Sequence, residues 1–237
     1  MDSKMEKFGI LFGVKKSEIK KTCILMPLVS KVFLKGFGVN KLKNGKLYSV
    51  GTGEEFSLIR TGMQAGLLGD AVLYLNETPC RNLILFGSCG LLNDNNLGIG
   101  NLVAAIKAYS YESLSDMLLH KKAKVYYPHK ILLNKLLKNK SIKKVSCATI
   151  SSLKLEEQNL DLFIKKGIDV VDMECSAFFA AAKFSGLKAI TLFYVSDIVK
   201  KFPFYQAQEE PQKSVISEAV RKSSRIICEF IRENLSD

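Results

Sequence analysis

Apolar residues in this chain gather into short, nearly unbroken runs, separated by segments whose apolar positions recur every three or four residues. The runs are CILMPLV (23–29), FSLIRTG (56–62), NLILFG (82–87), NLVAAIKAY (101–109), VSCATI (145–150), IDVVDM (168–173) and KAITLFYVS (188–196). Each is rich in β-formers and lacks the strict alternation of a half-exposed strand, which is the pattern of strands covered on both faces. Helical spacing predicts helices over 63–77, 128–140, 156–166 and 174–185, and Pro211 leads into a long final helix, QKSVISEAVRKSSRIICEFIREN. The order predicts an α/β fold: a single domain over residues 1–237, with a mixed, mostly parallel sheet flanked by helices.

Composition narrows this little but excludes several classes. The 237 residues are 47% hydrophobic, enough for one full core, and no Gly/Ser/Pro-rich linker divides them. The longest apolar runs fall well short of the roughly 20 residues of a membrane span. Acidic residues precede the short apolar patch in MDSKMEKFGILFGVKK, and no small-residue cleavage site follows it. A cytoplasmic protein without a membrane partner is expected. The six cysteines form no CxxC pair and sit mostly in apolar runs, as small buried residues in a reducing compartment do.

Only His120 and His129 are present, neither with a second ligand at metal spacing, which argues against a zinc site or a Ser-His-Asp triad. No metal or cofactor is expected. His129 follows Pro128 at a predicted helix start, where a structural role fits best. The net charge of +12 comes from dispersed pairs such as Lys15-Lys16 and Lys165-Lys166, not interleaved with aromatics. That favours a solvated lysine-rich surface over a nucleic-acid site.

In such folds ligands bind beyond the carboxyl ends of the strands, and the unusual chemistry of the sequence falls there. LFGSCGLL (85–92) predicts a strand ending in a Gly-Ser-Cys-Gly turn, whose curled backbone would aim N–H groups at one point, with Ser88 adding a hydroxyl. RTGMQAG (60–66) is a second such exit, with Gly62 and Met63 at the corner. VVDMECSAFFAAAKF places Glu174 in the first turn of an alanine-rich helix. The helix dipole favours a carboxylate there, yet its two acceptor oxygens also suit a vicinal diol such as a ribose offers. Asp172 is the competing acid. Asp197 ends the apolar run AITLFYVS, where half-burial raises a carboxyl's pKa and suits it to donate a proton near neutrality.

VVDMECSA followed about twenty residues later by VSD resembles the nucleoside phosphorylase family of the purine and uridine type, which also includes methylthioadenosine/S-adenosylhomocysteine nucleosidase. FGSCGLL with NLGIGNLVAA, and TGMQAG, resemble further motifs of the family in the same order. The resemblance implies a nucleoside phosphorylase-like fold and cleavage of the N-glycosidic bond of a nucleoside, a purine one by preference. Asp197 would activate the leaving base, and Glu174 would hold the ribose diol with Met173 packed on the sugar. Leu153, Ser152 and Ser196 would border the base. Gly87, Ser88, Gly62, Met63, Arg60 and Lys31 would border the nucleophile. The partner is then a small-molecule nucleoside, and a homo-oligomer, dimer or hexamer, is expected.

The chain departs from the family where the nucleophile is handled. Leu85 stands where the phosphorylases carry an arginine, and MPLVSKVF replaces their first phosphate loop, leaving Lys31 and Arg60 as candidate anion ligands. The same loop lacks the glutamate with which the nucleosidases activate water, and Leu153 replaces their base-stacking phenylalanine. The balance leans to hydrolysis by water. Phosphorolysis, with phosphate as co-substrate, is the alternative, and a catalytically weak nucleoside-binding member is a second one. FPFYQ (202–206) reads equally as an aromatic flap over the base and as an interface patch.

Overall fold

The computed structural model describes residues 3–92, 96–113 and 125–235. His120 and the Lys121-Lys122 pair lie outside the described residues. In chain order come α1 (Ser3–Phe12), β1 (Thr22–Met26), α2 (Lys31–Gly36), β2 (Lys43–Asn44), β3 (Ser49–Thr52), β4 (Phe56–Arg60) and α3 (Ala65–Leu75). The two longer central strands follow, β5 (Asn82–Leu91) and β6 (Leu102–Tyr111), then β7 (Val125–Tyr126), α4 (Lys130–Leu136), β8 (Ile142–Ile150) and α5 (Leu153–Lys165). The chain closes with β9 (Val170–Asp172), α6 (Cys175–Phe184), β10 (Lys188–Ile198) and α7 (Glu210–Asn234).

All the strands form one mixed sheet in the order β10-β6-β8-β9-β5-β1-β4-β3-β2, with β7 on β6. Because β10 also pairs with β5, the strands β5, β10, β6, β8 and β9 close into a ring, and β1, β4, β3 and β2 continue the sheet outwards. The long ladders, β5 with β10 and β6 with β8, are parallel, and the antiparallel pairings are short. The mostly parallel reading therefore holds.

Alternate residues of the inner strands enter two different cores, as expected for strands covered on both faces. Cys23, Leu25, Leu83, Leu85 and Phe193 face a cluster that includes Phe178 and Phe179 of α6 and Leu68 and Val72 of α3. Ile24, Met26, Ile84, Phe86, Leu192 and Tyr194 face a second cluster closed by Ile227, Phe230 and Ile231 of α7.

Most predicted boundaries shift by a few residues. Pro27 lacks an N–H and ends β1 at Met26, short of residue 29. The helix expected from residue 156 starts at Leu153, where the Ser152 hydroxyl accepts from Leu155 N–H and caps it. His129 likewise caps α4, its Nδ1 accepting from Leu132 N–H. Helix α1 and the small antiparallel strands β2 and β3 were not expected. Phe8 and Phe12, one turn apart on α1, stack at 4.2 Å between ring centroids, and Phe12 packs on buried Tyr48. The N-terminal segment thus seals the first core rather than trailing from it.

Candidate active site

The largest departure from expectation creates the site. The Gly87-Ser88-Cys89-Gly90 segment is no turn: β5 runs straight through it to Leu91, with each of these residues in register with β10. On its other edge β5 changes partner. It pairs with β1 as far as Leu85 and with β9 only from Gly90, so residues 86–89 meet no strand on that side. The interval opens a cavity of about 340 Å³, lined by Gly87, Ser88 and Cys89 in its wall, and by Pro27 and Leu28 from the end of β1. This is a switch point of strand order, where open α/β sheets bind ligands.

One end of the cavity holds Glu174, the residue before α6 begins, and its carboxylate makes no capping bond to that helix. Asp172 does that work instead. Its Oδ2 accepts from Glu174 N–H at 3.1 Å and Cys175 N–H at 2.6 Å, and its Oδ1 accepts from Thr149 Oγ1 at 2.7 Å and the Cys147 thiol. Thr149 Oγ1 in turn accepts from Ser176 N–H. Asp172 is thereby committed to the helix start, and Glu174 is released into the cavity. Cys147, Asp172 and Cys175 lie close enough together to hold a metal ion, but both oxygens of Asp172 are already taken up by the hydrogen bonds just described.

Burial, and then the Asp172 carboxylate, push Glu174 up to about 8. Backbone N–H groups oppose this, Gln64 N–H at 2.7 Å first and Met173 N–H after it. Gln64 sits at φ 102°, a conformation that favours glycine, and follows Gly62 at φ 77°. The RTGMQAG corner is thus bent to bring a backbone N–H onto Glu174, and Met63 beside it lines the cavity.

The other end holds Asp197. Strand β10 slips register against β5 between Val195 and Asp197, a bulge at Ser196 that re-aims the following side chain. A Cβ on Gly90 would stand 3.2 Å from Asp197 Oδ2 and 2.9 Å from Val199, so the glycine leaves room for the carboxyl. Ser196 Oγ lies 2.5 Å from Asp197 Oδ1 and 3.3 Å from the Cys89 carbonyl oxygen. Burial raises the Asp197 pKa, opposed by hydrogen bonds from Ser196 and from Phe204 N–H. Phe204, within FPFYQ, also lines the cavity.

Of the residues singled out by sequence, Asp197, Glu174, Met173, Ser196, Leu153, Gly87, Ser88 and Met63 meet in this cavity. Four do not line it. Ser152 is spent capping α5, and Gly62 provides the positive φ of the corner. Arg60 is exposed and donates to Ser49 Oγ at 2.9 Å, and Lys31 is exposed at the start of α2. Leu85, at the family's arginine position, is fully buried in register with Leu25 and Thr191. Sequence reasoning missed Phe33, Glu156, Phe193 and Tyr194 in the lining. Tyr194 lies two residues before Ser196 on one strand, a same-face signal that was there to use. Glu156 lies about one helical turn beyond Leu153 on α5.

The model of the Phosphorylase superfamily matches residues 26–232. The chain belongs to that superfamily. Among solved structures, the AMP nucleosidase from Bacteroides thetaiotaomicron superposes with a TM-score of 0.75 at 17% identity, covering 99% of this chain and 98% of that one. A uridine phosphorylase from Vibrio fischeri gives 0.76 at 21% identity, over 92% and 94% of the two chains. The methylthioadenosine/S-adenosyl homocysteine nucleosidase from Campylobacter jejuni gives 0.72 at 14%, over 91% and 99%. At these identities the likeness is one of fold. No curated protein matches the sequence. Among the described residues of this superfamily member, no helix is long and apolar enough to cross a membrane.

Proposed function

We propose that this protein cleaves the N-glycosidic bond of a purine nucleoside and that water is the nucleophile. The observation that carries the choice of water is the charge of the cavity. Its described lining includes Glu156, Asp172, Glu174 and Asp197 but no Lys, Arg or His. A phosphate in a desolvated pocket needs charged or multiple hydrogen-bond partners, and this described lining offers it no cation. Water has no such requirement.

In this reading Glu174 accepts the 2′- and 3′-hydroxyls of the ribose, whose donation favours its ionised form. That negative charge faces the sugar as it becomes cation-like. The C1′–N bond breaks with its electron pair passing to the base, and the base takes the proton of Asp197. A water oxygen bonds to C1′, and the proton it releases restores the acid. The Ser88 and Tyr194 hydroxyls, hydrogen-bonded to each other across the paired strands β5 and β10 of the cavity wall, would hold that water.

Base release from adenosine, inosine, uridine, methylthioadenosine and S-adenosylhomocysteine, with and without added phosphate, tests the reading. Release without phosphate is expected. Release only with phosphate would replace water by phosphorolysis, and binding without any release would leave a nucleoside-binding member with no catalysis.

A further inference from the structure

We propose that Glu156 reads the base and selects a purine bearing an exocyclic amino group, such as adenine. The inference rests on the nucleoside reading above and extends it to substrate class. Glu156 reaches the cavity from the first turns of α5, next to Leu153 and at the same end as Asp197 and Phe204. It is half-buried, and among the described residues no cation lies within ion-pair distance of it.

A carboxyl withdrawn from water without a partner is costly unless a ligand supplies one. Burial and the Asp197 carboxylate hold it up to about 7, a sign that the two acids face a common space.

The donors and acceptors at this end are lopsided. The Ser196 hydroxyl is turned to Asp197 and the Cys89 carbonyl, and the Phe204 N–H to Asp197. Leu153, Met173 and Phe204 offer only apolar surface. Among the described residues, no Asn, Gln, Lys, Arg or His side chain lines the cavity to donate to a base carbonyl. Two carboxyls remain, Asp197 to give its proton to a ring nitrogen and Glu156, when ionised, to accept from the base. An aminopurine meets Glu156 with N–H donors, and its ring nitrogen takes the proton of Asp197. Uracil and hypoxanthine keep a ring N–H but set a carbonyl oxygen beside it, where an ionised carboxylate is repelled, whereas an amino group puts a donor there. A site built to hold a substrate N–H rejects analogues that lack it, because its own acceptor is then left unpaired.

The test compares wild type with Glu156→Gln, a substitution of like size at a partly exposed helix position. Affinities for adenine, hypoxanthine and uracil are measured by calorimetry, alongside kcat/KM for adenosine and inosine. Wild type should prefer adenine, and the variant should lose about tenfold for adenine while gaining for hypoxanthine, since an amide N–H can donate to the base oxygen. An adenine-to-hypoxanthine ratio unchanged within about twofold would overturn the role of Glu156. Equal wild-type affinity for all three bases would overturn the selectivity. Failure of cleavage with selective base binding retained would fall on the hydrolysis reading alone.

Discussion

The two ends of the cavity present buried acids placed by opposite means. Glu174 stands at a helix start yet takes no part in capping, because Asp172, two residues earlier, accepts the helix N–H groups in its stead. Asp197 stands in a strand, and a bulge at Ser196 with a glycine opposite turns its carboxyl into the cavity. One end therefore depends on a local division of labour between neighbours in sequence. The other depends on two strands more than a hundred residues apart holding a misregister. Both arrangements free a carboxyl from its neighbours, and both leave it buried and reluctant to ionise.

The comparison breaks most sharply at Asp197. Asp197→Asn keeps the shape and hydrogen-bonding size of the side chain but has no acidic proton, so turnover should fall at least about 10²-fold with nucleoside binding retained. Steady-state rates with calorimetric affinities check this, and unchanged turnover would remove Asp197 from the chemistry. The Glu174 end should respond differently. Glu174→Gln should weaken binding and rate together, by about tenfold in kcat/KM, as expected for losing hydrogen bonds to a charged group.

Glu174 also leaves a signature in stability. Its folded pKa of about 8 lies above its ordinary 4.5, so between those values the folded chain holds a proton that the unfolded chain has released. Stability attributable to this group is full at low pH and declines as pH rises from about 4.5 to about 8. Asp172, raised to about 6, acts in the same direction over a lower window. Denaturant titrations of Glu174→Gln should therefore show a shallower decline from about pH 4.5 to 8, keeping the parts that belong to Asp172 and Glu156. An identical slope in the variant would contradict the burial of Glu174.

The smallest effect is expected at the corner that serves it. Gln64→Gly relieves a positive φ and should change stability by about 1 kcal/mol or less, the relaxed backbone being offset by the freer unfolded chain. Activity should fall by only a few fold, because the N–H that Glu174 uses is retained. A large loss of activity would mean that the Gln64 side chain itself acts in the site.

Much of this was legible without coordinates. The near-continuous apolar runs required strands buried on both faces, and so a sheet between two cores, because no other arrangement hides both sides of a strand. Glu174 and Asp197 stood out because a carboxylate at the end of such a run is costly without a use. Tertiary structure decided what those signals meant. LFGSCGLL looks like a turn because glycines relax local preference, yet pairing with β10 holds it extended. The cavity exists because β5 changes partners from β1 to β9, a non-local event with no local mark. Which of Asp172 and Glu174 caps the helix, and whether Arg60 meets the cavity or Ser49, also depended on where other strands and loops came to lie. Local sequence sets which groups a chain must bury or spend. Only packing between distant segments settles which neighbour satisfies each one, and the groups left over form the site.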